Sequence, residues 1–353
     1  MKPSRQAVAV AATALALALC GVPAHAGPMA DPGTPYSAVT SVGVHNAYEK
    51  GTYEYLADAL DSGAGLLELD VWTNGFDVAS AVSDWRVAHE NPLANVNNCA
   101  NATTPAQLRS GPRDQDLAGC LSDLRVWHEA NPGHRPVMIK IEMKDGFNAP
   151  AGLGPREFDA LLDERLGSAL LRPSDLTGGG YATLDEAVRT QGWPARSELA
   201  GRFIVELIPG TVEERNPADP LWTDVEYATH LRDLAAAGAL TEAAAFPAVH
   251  RAEAGDPRQA RYRDATIRPW FVIFDGDASA YAGGGIDTAW YRDRGYLLVM
   301  TDAHKVAPQM EGTNPGEEAA RSRVDELSAA HASVVTADWH PLPEVLSRVV
   351  PRG

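Results

Sequence analysis

The chain is poor in cysteine and in positive charge. Three cysteines, at positions 20, 99 and 120, are too few for a disulfide-built scaffold, and no close pair of histidines accompanies them, which argues against a structural zinc site. Forty-seven Asp and Glu oppose 30 Lys and Arg, a formal net charge of −17. Such a surface repels polyanions, so nucleic acid is excluded as a partner. Work at a lipid surface must then rest on apolar or aromatic loops, or on a bound cation. There is no internal repeat and no low-complexity tail. Beyond the first residues, no apolar stretch approaches the ~20 residues that a spanning helix needs.

The first residues are different. MKPSRQ is basic, residues 7–22 are apolar, and Ala24-His25-Ala26 offers small residues at −3 and −1. This predicts a cleaved signal peptide over 1–26, a mature domain over 27–353, and secretion to the extracellular space. Leu19 before Cys20 is not the small residue that a lipid anchor requires. Cleavage removes Lys2 and Arg5 and no acid, which takes the formal charge to −19. Cys99 and Cys120 are then an even pair in an oxidising compartment and are expected to form a disulfide, worth about 3 kcal/mol for a loop of ~22 residues. Two buried thiols are the alternative.

Short runs rich in β-branched and large apolar residues recur at 41–44, 65–71, 85–88, 136–142, 202–207, 270–274, 296–300 and 332–336, as buried parallel strands require. Helical or loop-like segments separate them, with helices expected over 53–61, 116–130, 155–170, 184–190, 227–236, 288–294 and 317–330. Over 116–130, Leu117, Leu121, Leu124 and Trp127 fall near helical spacing, and Asn131-Pro132-Gly133 is a stop. Eight strands alternating with helices predict the α/β class, as a single (β/α)8 TIM barrel, regular or distorted.

Polar residues end these runs: His45-Asn46, Glu68-Leu69-Asp70, His89 and Glu142, and further along Glu206, Asp275, Asp302 and Asp338. The C-terminal strand ends of a barrel carry its active site, whereas acids placed for solvation alone would fall on helix surfaces. Segments rich in Gly and Pro at 91–112, 209–220 and 276–285 are expected around the same mouth, either shaping a substrate site or as plain surface insertions. The strand period of two turns Glu68 and Asp70 to one side. Crowded carboxylates repel unless a cation or a proton relieves them. With Asn46 and Glu142 they make an all-oxygen set suited to Ca2+ ahead of Mg2+. His45 and His89 can then protonate a leaving alcohol and bond phosphoryl oxygens. Lys140 and Lys144 share a face with Glu142. Lys144, nearer the opening, is the better phosphate ligand, and Lys140 the better counter-ion of buried acids. Glu206, Asp275, Asp302 and Asp338 read equally as acceptors for sugar-like hydroxyls or as loop anchors.

The motifs VHNAY (44–48), LELDVW (67–72), WRVAHENPL (85–93) and VMIKIEMKD (137–145) resemble, in this order, the phosphatidylinositol-specific phospholipase C superfamily. CAN (99–101), GCLSDL (119–124) and NPGH (131–134) are similar to its secreted, Ca2+-dependent bacterial branch. The resemblance implies Ca2+ ligands Asn46, Glu68, Asp70 and Glu142, with a catalytic pair His45 and His89. It also implies attack of an inositol hydroxyl on the neighbouring phosphorus, which releases diacylglycerol and a cyclic inositol phosphate. The expected partner is a phospholipid at a membrane interface, met by a monomer. No basic residues match those with which eukaryotic members read ring phosphates, which favours an unphosphorylated headgroup. A glycerophosphodiester phosphodiesterase or sphingomyelinase D-like enzyme is the rival, but its His-Arg-Gly and His-Asp signatures are replaced here by His45-Asn46-Ala47 and His89-Glu90-Asn91. A non-catalytic headgroup-binding barrel would have lost a histidine or a metal carboxylate.

Overall fold

The structure is a computed structural model that describes residues 30–73, 85–90, 95–178, 180–217, 219 and 221–353. The signal-peptide reading over 1–26 and parts of the segments 85–93 and 209–220 lie outside the described residues. Ten strands are present: β1 (Val39–Val44), β2 (Leu66–Trp72), β3 (Arg86–Val87), β4 (Val137–Met143), β5 (Phe203–Pro209), β6 (Phe246–His250), β7 (Ile273–Asp277), β8 (Leu297–Thr301), β9 (Val334–Ala337) and β10 (Val349–Pro351). Eight of them, all but β3 and β10, run parallel in the order β1-β2-β4-β5-β6-β7-β8-β9, and β1 pairs with both β2 and β9 to close the barrel. The expected TIM barrel is therefore present.

Two strand readings change. The run 85–88 is not a barrel strand, because only Arg86 and Val87 pair, antiparallel to Trp72 and Val71, as an appendage on the end of β2. The barrel strand missing from the sequence reading is β6, Phe-Pro-Ala-Val-His. Its proline, its short length and the alanines that precede it at 243–245 carry no strand signature.

Every residue of β2 is buried, as expected of a parallel strand covered on both faces. Leu67, Leu69 and Val71 alternate with Glu68 and Asp70, so one strand face supplies apolar packing and the other supplies acid. The helix Leu117–Ala130 buries Leu117, Leu121 and Leu124 and lies against Pro155–Leu166 on the outside. It also anchors the long segment after β3. Cys99 is bonded to Cys120 of this helix, and Asp123 one turn on accepts the N–H groups of Ala100 at 2.6 Å and Ala102 at 2.7 Å. The Asn98 amide donates to the carbonyls of Ala47 at 2.9 Å and Tyr53 at 3.1 Å. The same segment thus fastens the loop that follows His45 and Asn46 to an outer helix.

The disulfide closes a loop of 21 residues' separation. Replacing Cys99 and Cys120 together by Ser should lower unfolding stability by about 3 kcal/mol in denaturant titration under non-reducing conditions. Equal stability of the two proteins would show that the bond contributes nothing to the latch.

Candidate active site

β2 and β4 pair in register, with Glu68 beside Lys140 and Asp70 beside Glu142. Parallel pairing and the two-residue period leave these four side chains on the axial face, two at each level. Glu68, Asp70 and Glu142 each offer a carboxylate oxygen within 4.8 Å of the other two. Glu68 and Asp70 are almost wholly buried. Burial pushes Asp70 well above the usual carboxylate range, and the neighbouring Glu142 and Glu68 push it further against the pull of Lys144. Its Oδ1 is buried with no hydrogen-bond partner. A buried, unpartnered acid oxygen facing two other acids is a position that a cation resolves. Asn46 adjoins the cluster through its backbone, and its amide oxygen accepts the Tyr48 hydroxyl at 3.3 Å. Its φ of 52° is left-handed, a conformation Asn accepts more readily than most residues. That turn aims its backbone N–H at Glu68 Oε2, 3.2 Å away. The donors are all hard oxygens, and several are carboxylates, so the set fits Ca2+ or Mg2+ and not a thiophilic metal.

His45 stands beside this cluster. Its Nδ1 lies 3.0 Å from Asp338 Oδ1 and its Nε2 3.3 Å from Glu68 Oε2. Burial disfavours the imidazolium, but Glu68 and Asp338 outweigh it and raise the group to about 9. Asp338, the residue after β9, is held low by that same hydrogen bond, although burial opposes it.

Below the mouth, Lys140 joins two arcs of the barrel. Its Nζ is 3.2 Å from Glu68 Oε1 and 3.0 Å from Asp275 Oδ2. Burial works against the ammonium, yet Asp275, Glu68 and Glu206 keep it charged well above the ordinary lysine value. Lys140 in turn lowers Glu68 and Asp275 against their own burial. Glu206 lies not at a strand end, as the sequence suggested, but in the middle of β5 beside Lys140, wholly buried. Burial and then Asp275 push it well above the carboxylate range, against the pull of Lys140.

The structure brings together His45, Asn46, Glu68, Asp70, Glu142 and Lys140. A cavity of about 150 Å3 is lined by His45, Glu68, Lys140 and Glu142 on one arc and by His250, Asp275, Thr301 and Asp302 on the other. Lys144, expected to reach for phosphate, is buried with its Nζ on Asp70 at 3.1 Å and Glu142 at 2.9 Å. Gly210 crosses so close to Lys144 that a Cβ there would lie 2.4 Å from its Cα. This approach lets the Thr211 N–H reach Glu142 Oε1 at 3.3 Å. His89 does not end a barrel strand and does not line this cavity, because its strand is the two-residue appendage. Ala88 is tied to β2 through its N–H on Asp70 O at 3.0 Å. His89 follows it into an adjoining hollow, half-exposed, 3.8 Å from Glu49. Asp302 immediately follows β8 and pairs with Lys305 at 2.6 Å. The sequence reading missed His250, because the strand that carries it was missed.

Comparison with known proteins agrees with this geometry. Residues 108–233 match the family model described as phosphoinositide phospholipase C, Ca2+-dependent. A Ca2+-dependent phosphatidylinositol-specific phospholipase C from Streptomyces antibioticus is 63% identical, covers 91% of this chain and 99% of its own, and superposes with a TM-score of 0.87. A calcium-dependent phosphoinositol-specific phospholipase C from a Pseudomonas species, solved as an apo-form myo-inositol complex, is 19% identical with a TM-score of 0.68 over 90% of this chain and 96% of its own, and shares the fold. No curated protein sequence matches the chain.

Removing the shared buried ammonium leaves Glu68 and Asp275 facing each other's charge. Lys140→Met should therefore cost about 3–5 kcal/mol in urea unfolding without added divalent cation, and adding Asp275→Asn should recover part of it. A loss below about 1 kcal/mol would mean that the network does not hold the interior together.

Proposed function

The chain belongs to the Ca2+-dependent phosphoinositide phospholipase C family, and from that premise we propose that it hydrolyses phosphatidylinositol to diacylglycerol and an inositol phosphate, cyclic or subsequently opened. The observation that carries this reading is the convergence of Glu68, Asp70 and Glu142 within 4.8 Å, beside an imidazole clamped by Asp338. In this reading Asn46, Glu68, Asp70 and Glu142 hold Ca2+. The ion, when bound, neutralises charge on the phosphoryl group and favours the deprotonated form of a bound hydroxyl.

The protein's own groups do the remaining work. Asp338 fixes the orientation of the His45 ring through Nδ1, so Nε2 faces the cavity side where Glu68 lies. From there His45 exchanges a proton with the reacting oxygens. An inositol hydroxyl attacks the adjacent phosphorus, the P–O bond to diacylglycerol breaks, and the departing alkoxide takes a proton. His89, at the rim beside β2, is the donor to the phosphoryl oxygens in this reading. Lys144 keeps the acid array in balance and lies next to the phosphate position.

Export through the N-terminal segment and action at a membrane surface complete the proposal. Among the described residues, no helix is long and apolar enough to cross a membrane. Val96, 44% exposed in the hollow beside His89, and Leu221, 55% exposed in the segment after β5, are the exposed large hydrophobic residues among them. With a net negative chain, apolar side chains at the mouth are the means by which it meets a bilayer.

The test is release of water-soluble inositol phosphate from phosphatidylinositol micelles. Activity should require Ca2+ and vanish with excess chelator. His45→Ala should lower kcat by about 10²–10⁴-fold with little change in Ca2+ binding. Full activity in chelator, or in the His45 variant, would overturn the assignment.

A further inference from the structure

His250 is the last residue of β6, and its register partner on β7 is Asp275. Both side chains line the cavity, on the arc opposite His45 and the carboxylates of β2 and β4. Asp275 is wholly buried and fixed by Lys140, so it is a rigid acceptor. His250 Nδ1 lies 3.4 Å from Asp275 Oδ1. Its Nε2 is 3.9 Å from Glu214 Oε1, beyond hydrogen-bond reach, and the other Glu214 oxygen is already engaged by Arg251. With a side-chain exposure of 22%, the imidazole is neither core nor surface. The next residue, Arg251, takes φ 75°, a left-handed conformation that a long side chain seldom adopts and that surrounding structure must enforce. The chain thus bends at this residue with His250 held toward the cavity.

We propose that His250 contacts the headgroup, its Nε2 reading a hydroxyl of the inositol ring across the cavity from His45. This deepens the activity proposed above and rests on it. Asp275 faces Nδ1 at 3.4 Å, a longer contact than the 3.0 Å hydrogen bond between Asp338 and His45, so the cavity has a histidine–carboxylate pair on each arc. The two pairs face different chemistry. His45 adjoins the three acids that converge on one point, whereas His250 adjoins Thr301 and Asp302. The cations around this arc are each held by an acid, Lys140 by Asp275, Arg251 by Glu214 and Lys305 by Asp302.

The test is binding of free myo-inositol to the full chain in Ca2+, followed by calorimetry or saturation-transfer NMR. His250→Ala should weaken binding about tenfold, and His250→Gln, which retains a polar group, should lose less. KM for phosphatidylinositol should rise more than kcat falls, while Ca2+ affinity and melting temperature stay at the wild-type values. Wild-type affinity for myo-inositol in His250→Ala, or no binding by the wild type, would overturn the inference. So would an altered Ca2+ affinity that accounts for the whole effect. Wild-type protein that binds myo-inositol but leaves the lipid intact would instead overturn the activity and leave this contact standing.

Discussion

The shared ammonium of Lys140 is the interaction on which the site depends. Glu68 and Asp275 are buried on different arcs of the barrel, and without a cation between them neither could remain ionised at that depth. Because Glu68 is ionised, it can accept the Asn46 N–H, which fixes the left-handed turn, and can face His45. Because Asp275 is ionised, it can face His250. A line of charges therefore crosses the barrel from Asp338 through His45, Glu68 and Lys140 to Asp275, with the His250 ring beyond it. Breaking such a line is costly because each member is the counter-ion of the next, although the line as a whole adds little net stability.

Above this line the balance is different. Asp70 and Glu142 have only Lys144 between them, and with Glu68, whose ammonium partner is the Lys140 it shares with Asp275, they bring three acids to one point. Burial and the neighbouring acids push Asp70 upward against Lys144, and its unpartnered oxygen marks where a divalent ion adds the missing charge. The barrel therefore contains two acid groupings of different design. One is internally neutralised and structural, and the other is left short of positive charge and reserved for a ligand.

Much of this was legible in the sequence because strand alternation is a strict rule. Glu68-Leu69-Asp70 and Lys140-Ile141-Glu142 in apolar runs can only place their polar members on one side, and register then pairs them. The role of Lys140 as counter-ion followed from the same alternation, the barrel from eight apolar runs separated by helices, and the disulfide from an even pair of cysteines in a chain read as exported. What the sequence concealed has physical causes. β6 is too short and too rich in alanine and proline to look like a strand, so nothing in the sequence places His250 at a strand end. The run 85–88 has strand composition but only two paired residues, so composition alone could not tell an appendage from a barrel strand. Glu206 and Asp338 differ in depth along their strands, which depends on where each strand ends. Which acid Lys144 meets depends on Gly210 crossing beside it, a long-range contact that no local pattern reports.

The account stands most directly on the claim that Glu68, Asp70, Glu142 and Asn46 form one Ca2+ site at the barrel mouth. Calorimetric titration of the full chain with Ca2+, wild type beside Asp70→Asn, tests it without reference to turnover. The account predicts a single site in the wild type, weakened at least about tenfold by loss of one ligand charge, with both proteins folded to the same degree. Equal affinity in the two proteins, or no binding in the wild type, would contradict it.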